Sequence, residues 1–502
     1  MSGAFVDASS AGIQLEEADY LIIGSGAGGG AAARVLSQAG SVIVLEEGPL
    51  ATPTSLSPVL HESLGRLFRQ SGRTATMGRA PIPMLQGSCV GGGTFINSAI
   101  IWRLPEKVLS RWHDEFGLAE GLPLEALEAA SAQLEEELHV TEVGEAIAAR
   151  QDLHLREGAR KMGIEARATR RNERGCQGSA RCLHGCPHAA KQSTAVNSLR
   201  RATESGATVY AHAGVARILF EGARAGGVRG IIRGAGSFAH QRFALRAKKA
   251  VIVSASAVQS PALLSRSGVK SAHLGRHFMS HPGTSVAGIY PERVDPWVGA
   301  SQGFEAYGMR DSLGVKFESI NVPPEIVASR MPGAGARFAA SLERLPYMAI
   351  WAAALRAEAQ GTVTPSWLFG EKVVYDLTES DMTRLRQGLR VLAEMHFQAG
   401  ALEVMPGIAG LPETLRSPDE LRLMESASLN PLAYSLLATH LFGGCRAGRD
   451  ARAAVVDPQL RVHGHTGLYV MDASVFPTNT GVNPQHSIMS IATVAARRLA
   501  GA

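Results

Sequence analysis

Two stretches of this 502-residue chain carry residue types at spacings that can do chemistry. The first is Gly24-Ser25-Gly26-Ala27-Gly28-Gly29, a G-x-G-x-x-G pattern, with Glu46 standing 22 residues after Gly24. Gly24, Gly26 and Gly29 permit a tight turn and let backbone N–H groups approach a pyrophosphate. An acid at the end of the next strand then accepts hydrogen bonds from ribose hydroxyls. Glu46 and Glu47 both stand in that place; Glu46 is preferred because it directly closes the apolar run Val42-Ile43-Val44-Leu45. The pattern specifies a dinucleotide site without separating nicotinamide from flavin. The second stretch holds Cys176, Cys182 and Cys186 in a C-x5-C-x3-C-P spacing. Three thiolates in a Gly-rich loop suit an iron–sulfur cluster, a zinc site completed by His184 or His188, or a set of metal-free thiols.

Such groups need a frame to hold them. Asp19-Tyr20-Leu21-Ile22-Ile23 reads as a buried strand, Ala31 to Gln38 as a helix of good helix formers, and Val42 to Leu45 as a second strand. Strand, turn, helix and strand in that order predict an α/β fold with a Rossmann-like first unit. Asp381 to Ala401 predicts a long amphipathic helix through Leu385, Leu389, Leu392 and Met395, closed by Gly400. Between 326 and 357, Arg330, Arg337, Arg344 and Arg356 punctuate apolar stretches such as Tyr347 to Leu355. A buried helix packing on a sheet is expected there, with an interfacial membrane helix as the alternative.

Composition bounds the partners. With 45% hydrophobic and 19% charged residues, burial outweighs chain entropy and wholesale disorder is excluded. A net charge of +5 with no block of like charge argues against nucleic acid. Five cysteines are too few, and odd in number, for a disulfide framework. The N-terminus lacks a basic n-region, an apolar h-region and a twin arginine, and no apolar run reaches the ~18 residues of a membrane span. The expectation is a soluble cytoplasmic chain without a transmembrane segment, at a membrane only through a partner.

Further segments sharpen this reading. They are Gln86-Gly87-Ser88-Cys89-Val90-Gly91-Gly92-Gly93-Thr94-Phe95-Ile96-Asn97, then Ser254 to Leu264, Leu274-Gly275-Arg276 through His281-Pro282, and Val456 to Val462 with Gly467 to Pro477. In order and spacing the chain resembles the glucose-methanol-choline (GMC) family of oxidoreductases over residues 18 to 500. Ser88, Gly444 and Asn483 depart from the residues usual in that family. The resemblance implies a Rossmann-like FAD-binding domain with an interleaved α+β substrate domain. The flavin domain would be built from 18–105, 200–285 and 440–502, the substrate domain from 286–439, and 106–199 would be a connecting region carrying the cysteines.

It also implies FAD held non-covalently, because Ile96 stands where some members carry a tethering histidine. Gly92, Thr94 and Asn97 would meet the pyrophosphate and flavin edge, Val215 the adenine, and Asp472 and Ala473 the ribityl and pyrophosphate. His440, in Thr439-His440-Leu441-Phe442-Gly443, matches the family's general base, and Asn483, 43 residues later, the partner that brackets the substrate oxygen. The implied reaction is oxidation of an alcohol CH–OH with hydride passing to flavin N5. His486 is an alternative to Asn483 or His440; His281, His463 and His465 are read as structural. The cysteine spacing is similar to that of GMC sugar dehydrogenases holding a [3Fe–4S] cluster, while Ala190-Lys191-Gln192-Ser193 is similar to long-chain alcohol oxidases. A cluster would relay electrons to an acceptor protein, whereas without one O₂ becomes the acceptor. A lyase with structural FAD on the same fold is the other class left open.

Overall fold

The run Glu17–Ile23 is buried along nearly its whole length, as a strand covered on both faces must be. In the computed structural model, which describes residues 3–233, 240–368 and 370–501, it lies inside an eight-stranded sheet. The order is Ala4–Asp7, Thr208–Ala211, Val42–Leu45, Glu17–Ile23, His240–Val253, Arg224–Arg233 and Ala213–Glu221, with Leu468–Val470 also alongside His240–Val253. Ile23 sits opposite both Leu45 and Val253, and Val253 opposite Val470, all in parallel pairs. Four segments from three distant parts of the sequence therefore leave the same end of the sheet together, beginning at Gly24, Glu46, Ser254 and Met471. Ligands of open parallel sheets bind outside the carboxyl ends of the strands.

The helix after the first turn is Ala27–Leu36, earlier at both ends than the expected Ala31 to Gln38. Propensity disfavours helix through three glycines, but close packing requires them. A Cβ at Gly28 would stand 1.7 Å from the Met471 carbonyl oxygen, and one at Gly29 1.9 Å from that of Gly24. Helix Gln485–Ala500 packs against Ala27–Leu36.

The second sheet has nine strands, all antiparallel, and Arg276–Ile289 is its hub. On one side of the hub stand Gly361–Ser366 and Gly370–Val374; on the other stand Met348–Leu355, Val315–Ser319, Phe304–Ala306 and Ala166–Ala168. Glu403–Met405 and Leu437–Phe442 also pair with the hub. The boundaries expected at 285 and 439 thus fall inside strands of this sheet, and the 106–199 region contributes an edge strand to it. Helix Glu379–Gln398 covers one face with Leu385, Leu389, Leu392 and Met395 buried. Its first turn is closed by a capping box between Thr378 and Asp381, and Gly400 follows it at a φ of +96°.

The helix expected to pack on the sheet between 326 and 357 is not there. Met348–Leu355 is a strand between Arg276–Ile289 and Val315–Ser319. The helical segments are short: Pro324–Ala328, and Gly335–Glu343, which lies at the surface with no buried residue. Ala352-Ala353-Ala354 favours helix by propensity, yet tertiary pairing overrides it. The small side chains suit the strand because all three line a cavity. No helix among the described residues is long and apolar enough to cross a membrane.

Candidate active site

A cavity of about 1260 Å³ runs from the four strand ends of the first sheet to the strands of the second. Gly24, Gly26, Glu46, Gly92, Thr94, Asn97, Val215, Asp472 and Ala473 all line it. Gly29 does not; it packs on the Gly24 carbonyl instead. A Cβ added at Gly26 or Gly93 would meet no protein atom within 4 Å, so the backbone there faces open space. Gly26 is also the N-cap of a ten-residue helix and lacks a side-chain cap, which suits it to an anionic group.

The polar side chains of this end are held in place. One Glu46 oxygen accepts from the Ser25 N–H at 3.1 Å and hydroxyl at 2.6 Å, the other from the Gly48 N–H at 3.1 Å. Burial pushes its carboxyl above the ordinary range. Asp472, likewise pushed up by burial, accepts from the Ser256 and Ser474 N–H groups at 2.9 and 2.8 Å and so ties two strand ends together. The Thr94 hydroxyl donates to the Gly91 carbonyl at 2.7 Å. Asn97 donates to Gln485 and accepts from the Ala99 N–H at 3.0 Å, and its backbone N–H closes the short helix Gly93–Ile96.

His440 enters the cavity through a bulge. Leu441 pairs with Ser280 and Ala438 with Pro282, so Thr439 and His440 together oppose the single residue His281. Such bulges re-aim side chains. Here both imidazoles line the cavity, with their Nδ1 atoms 3.0 Å apart. The proton positions follow from the neighbours. The Asn479 amide donates to the carbonyls of Ser280 and Ala357 at 2.9 and 3.2 Å, which leaves its oxygen as the acceptor facing His281 Nε2. His281 Nε2 therefore carries a proton and its Nδ1 a lone pair. With that nitrogen protonated, the Gly481 N–H, 3.2 Å from it, donates to the nearer Asn479 oxygen at 3.0 Å. His440 must then donate through Nδ1, which leaves its Nε2 bare. Both rings are neutral near pH 7, because burial holds His281 well below its ordinary value and His440 down at about 4. His281, read as structural from the sequence, lines the cavity and contacts His440.

Asn483 lines the same cavity from the loop before helix Gln485–Ala500. Its oxygen accepts from Lys316 Nζ at 2.5 Å, a contact not foreseen from the sequence. Lys316 and Glu318 stand two apart on strand Val315–Ser319 and so share a face; every residue of that strand is buried. Lys316 lies 2.9 Å from Glu305 and 2.5 Å from Glu318, and Arg167 reaches Glu305 at 2.8 Å. Burial alone would push Glu318 up, but the Lys316 ammonium outweighs it and holds the carboxyl below its ordinary range.

Other sequence-based candidates go elsewhere. His486 is fully buried outside the cavity, 3.4 Å from Glu135. His463 contacts the Gly448 carbonyl at 3.0 Å, and the His465 ring packs at a tilt against Phe220. Cys176, Cys182 and Cys186, all free thiols, border one void of about 10 Å³ together with Arg171, Lys191 and His188; His184 does not border it. Among the described residues no three His, Cys, Asp or Glu side chains are grouped to hold a metal ion. As placed, this donor set fits neither a cluster nor zinc, and no electron relay is built on it. Burial raises Cys176 to about 12; at Cys182 it does the same, but Arg171 and Lys191 outweigh it and lower the thiol. The segment acts as a brace: Lys191 Nζ donates to the carbonyls of Asn97 at 2.7 Å and Cys182 at 3.0 Å. Gly185 leaves no room for a Cβ against Leu56 and Phe95.

Comparison with known proteins settles the ancestry. Models of the N- and C-terminal parts of the GMC oxidoreductases match residues 64–283 and 365–492. An uncharacterized GMC-type oxidoreductase of Mycobacterium tuberculosis is 36% identical over 485 residues, covering 95% of this chain and 75% of that protein. The chain belongs to the GMC oxidoreductase family. It is an oxidoreductase with the α/β fold expected of that family. A long-chain-alcohol oxidase of Arabidopsis thaliana is 26% identical over 96% of this GMC chain and 67% of its own length. Among solved structures, pyridoxine 4-oxidase from Mesorbium loti superposes with a TM-score of 0.72 at 18% identity, over 96% of this chain and 98% of its own. An Aspergillus oryzae formate oxidase does so at 0.74 and 15%, over 97% and 98%.

Proposed function

We propose that this GMC oxidoreductase binds FAD and oxidises a primary alcohol on a long aliphatic tail to the aldehyde. The observation that carries the reading is a bare imidazole nitrogen, His440 Nε2, and a neighbouring amide, Asn483, opening into the cavity that also contains the dinucleotide cradle. The cradle fits FAD: Gly26 and Gly93 offer backbone with room for a ligand, Glu46 offers a carboxylate to ribose, and the Ala27–Leu36 helix offers its N-terminus to pyrophosphate. Bound there, FAD would supply the acceptor for the hydride leaving the alcohol carbon. His440 takes the hydroxyl proton on Nε2 as the C–H bond breaks, and its Nδ1–H stays bonded to His281.

The cavity has an extensive apolar lining, with Ile320, Val322, Ile326, Met331, Ile350 and Leu411 on its walls. Such walls favour an aliphatic tail over a sugar, as does the likeness to a long-chain-alcohol oxidase. Each methylene buried there contributes about 0.8 kcal/mol, or roughly fourfold in affinity. In anaerobic titrations of the flavoprotein, primary alcohols of rising length should therefore bleach the flavin at concentrations that fall roughly fourfold per CH₂ until the channel is full. Flavin left unbleached by every alcohol would overturn the oxidation reading. Bleaching by glucose in preference to any aliphatic alcohol would overturn the tail.

A further inference from the structure

We infer that Lys316 and Glu318 are positioning residues that fix the direction of the Asn483 amide, so that its N–H and not its oxygen is offered to the substrate oxygen. This rests on the roles given above to His440 and Asn483. Free asparagine amides turn over easily, because oxygen and NH₂ are close to the same size. Here the neighbours allow one direction only. Lys316 has three donors and no acceptor, and stands 2.5 Å from the Asn483 oxygen. Glu318, a carboxylate with acceptors only, stands beside Lys316 on the same strand face, near the Asn483 side chain. Turning the amide over would set its oxygen against the carboxylate and its NH₂ against the ammonium.

The pair is itself immobile. Lys316 is 3% exposed, Glu305 on its other side 0% and Glu318 7%, so none has water to turn to. With Arg167, which is 30% exposed, they make two cations and two anions, a neutral cluster. Buried ion clusters usually add less stability than apolar residues of the same volume, so this one calls for another use; it faces the cavity through Glu318, which also accepts from Gln302 at 2.8 Å, and through the bond from Lys316 to Asn483. The polarity matches the need. An alcohol oxygen that gives its proton to His440 Nε2 has lone pairs left, and a donor fixed beside it complements the negative charge growing there.

The test is a double-mutant cycle. Lys316→Gln replaces an obligate donor with an amide that can present either face. Anaerobic flavin reduction by a long primary alcohol is measured in the wild type, Lys316→Gln, Asn483→Ala and the double variant. Lys316→Gln is expected to slow reduction about tenfold, near the upper end for one neutral hydrogen bond. In the Asn483→Ala background it should cost almost nothing, because the residue it acts through is gone. Glu318→Gln keeps an oxygen able to accept from Asn483 and should lose no more than about threefold. If Lys316→Gln slows the Asn483→Ala enzyme by the same factor as the wild type, the inference is overturned. Should Lys316→Gln fail to retain flavin, Glu318→Leu, which removes the carboxylate beside Lys316 and the Asn483 amide, takes its place in the same cycle. If no alcohol bleaches the wild-type flavin, the oxidation reading fails by itself. The positioning role is then judged from crystal structures: Asn483 should contact Lys316 and Glu318 in the wild type and swing away in Lys316→Gln, and an unmoved Asn483 would refute it.

Discussion

Replacing His440 with alanine should slow reduction of the bound flavin by an alcohol at least ~100-fold while leaving FAD in place, the low end of general-base effects. The size follows from what remains. Without Nε2 no bare imidazole nitrogen is placed to take the hydroxyl proton: the His281 Nδ1 lone pair is directed at the position the His440 ring has vacated. FAD retention is expected because the cradle residues Gly24, Gly26, Glu46 and Asp472 belong to the other end of the cavity. Asn483→Ala should cost less, since a neutral amide contributes a neutral hydrogen bond. The pH profile gives a second sign. His440 must be unprotonated to act, and burial holds it at about 4. The reductive rate should therefore climb as pH rises through about 4 and stay level near neutrality. A wild-type rate that still climbs steeply between pH 6 and 7, at the ordinary value of an exposed histidine, would contradict this environment. Near-wild-type reduction by His440→Ala would move the base to another residue, and His486, turned to Glu135 outside the cavity, is not positioned to be it.

How much of this was legible in the sequence depended on whether the chemistry was local. G-x-G-x-x-G, the strand before it and the acid after it lie within 30 residues, and a parallel sheet aligns them without help from elsewhere. His440 and Asn483 were recoverable through motifs. Their settings were not, because those are made by strand pairing. The bulge that places His281 against His440 depends on a register shift between strands about 160 residues apart. Lys316 and Glu318 left one faint trace, two opposite charges at the period of a strand within an otherwise apolar run. Nothing in that trace names Asn483, 167 residues away. Residues 348–355 were misread for a physical reason: alanine signals helix when judged alone, while the strand selects it for small size beside a cavity. The cysteines raised the opposite problem. Their spacing is specific, yet spacing fixes neither how far apart the thiols lie nor what fills the gap, and here Arg171 and Lys191 crowd a void of about 10 Å³.

The other large effect is expected at two glycines of one turn, for opposite reasons. Gly28→Ala should give little folded protein. Its Cβ would fall 1.7 Å from the Met471 carbonyl oxygen, a backbone atom that cannot rotate aside. That residue is anchored on both sides: the Met471 N–H donates to the Val253 carbonyl at 2.9 Å, and the Met471 oxygen accepts from the Ser254 hydroxyl at 2.9 Å. Relieving the clash means parting helix Ala27–Leu36 from the edge of the sheet, where Asp472 holds two segments together. Gly26→Ala differs by two positions in sequence and by everything in consequence. Its φ of −66° suits alanine, and no protein atom lies within 4 Å of the new methyl group. The flavin-free protein should melt at the wild-type temperature, yet the methyl would occupy the space through which backbone N–H groups approach a pyrophosphate. Purified Gly26→Ala should therefore be folded and colourless, and FAD added back should raise its melting temperature less than that of the wild type. If Gly26→Ala instead keeps its flavin through gel filtration, the cradle lies elsewhere in the cavity. If Gly28→Ala folds and melts normally, the contact between this helix and Met471 is not what draws the strand ends together.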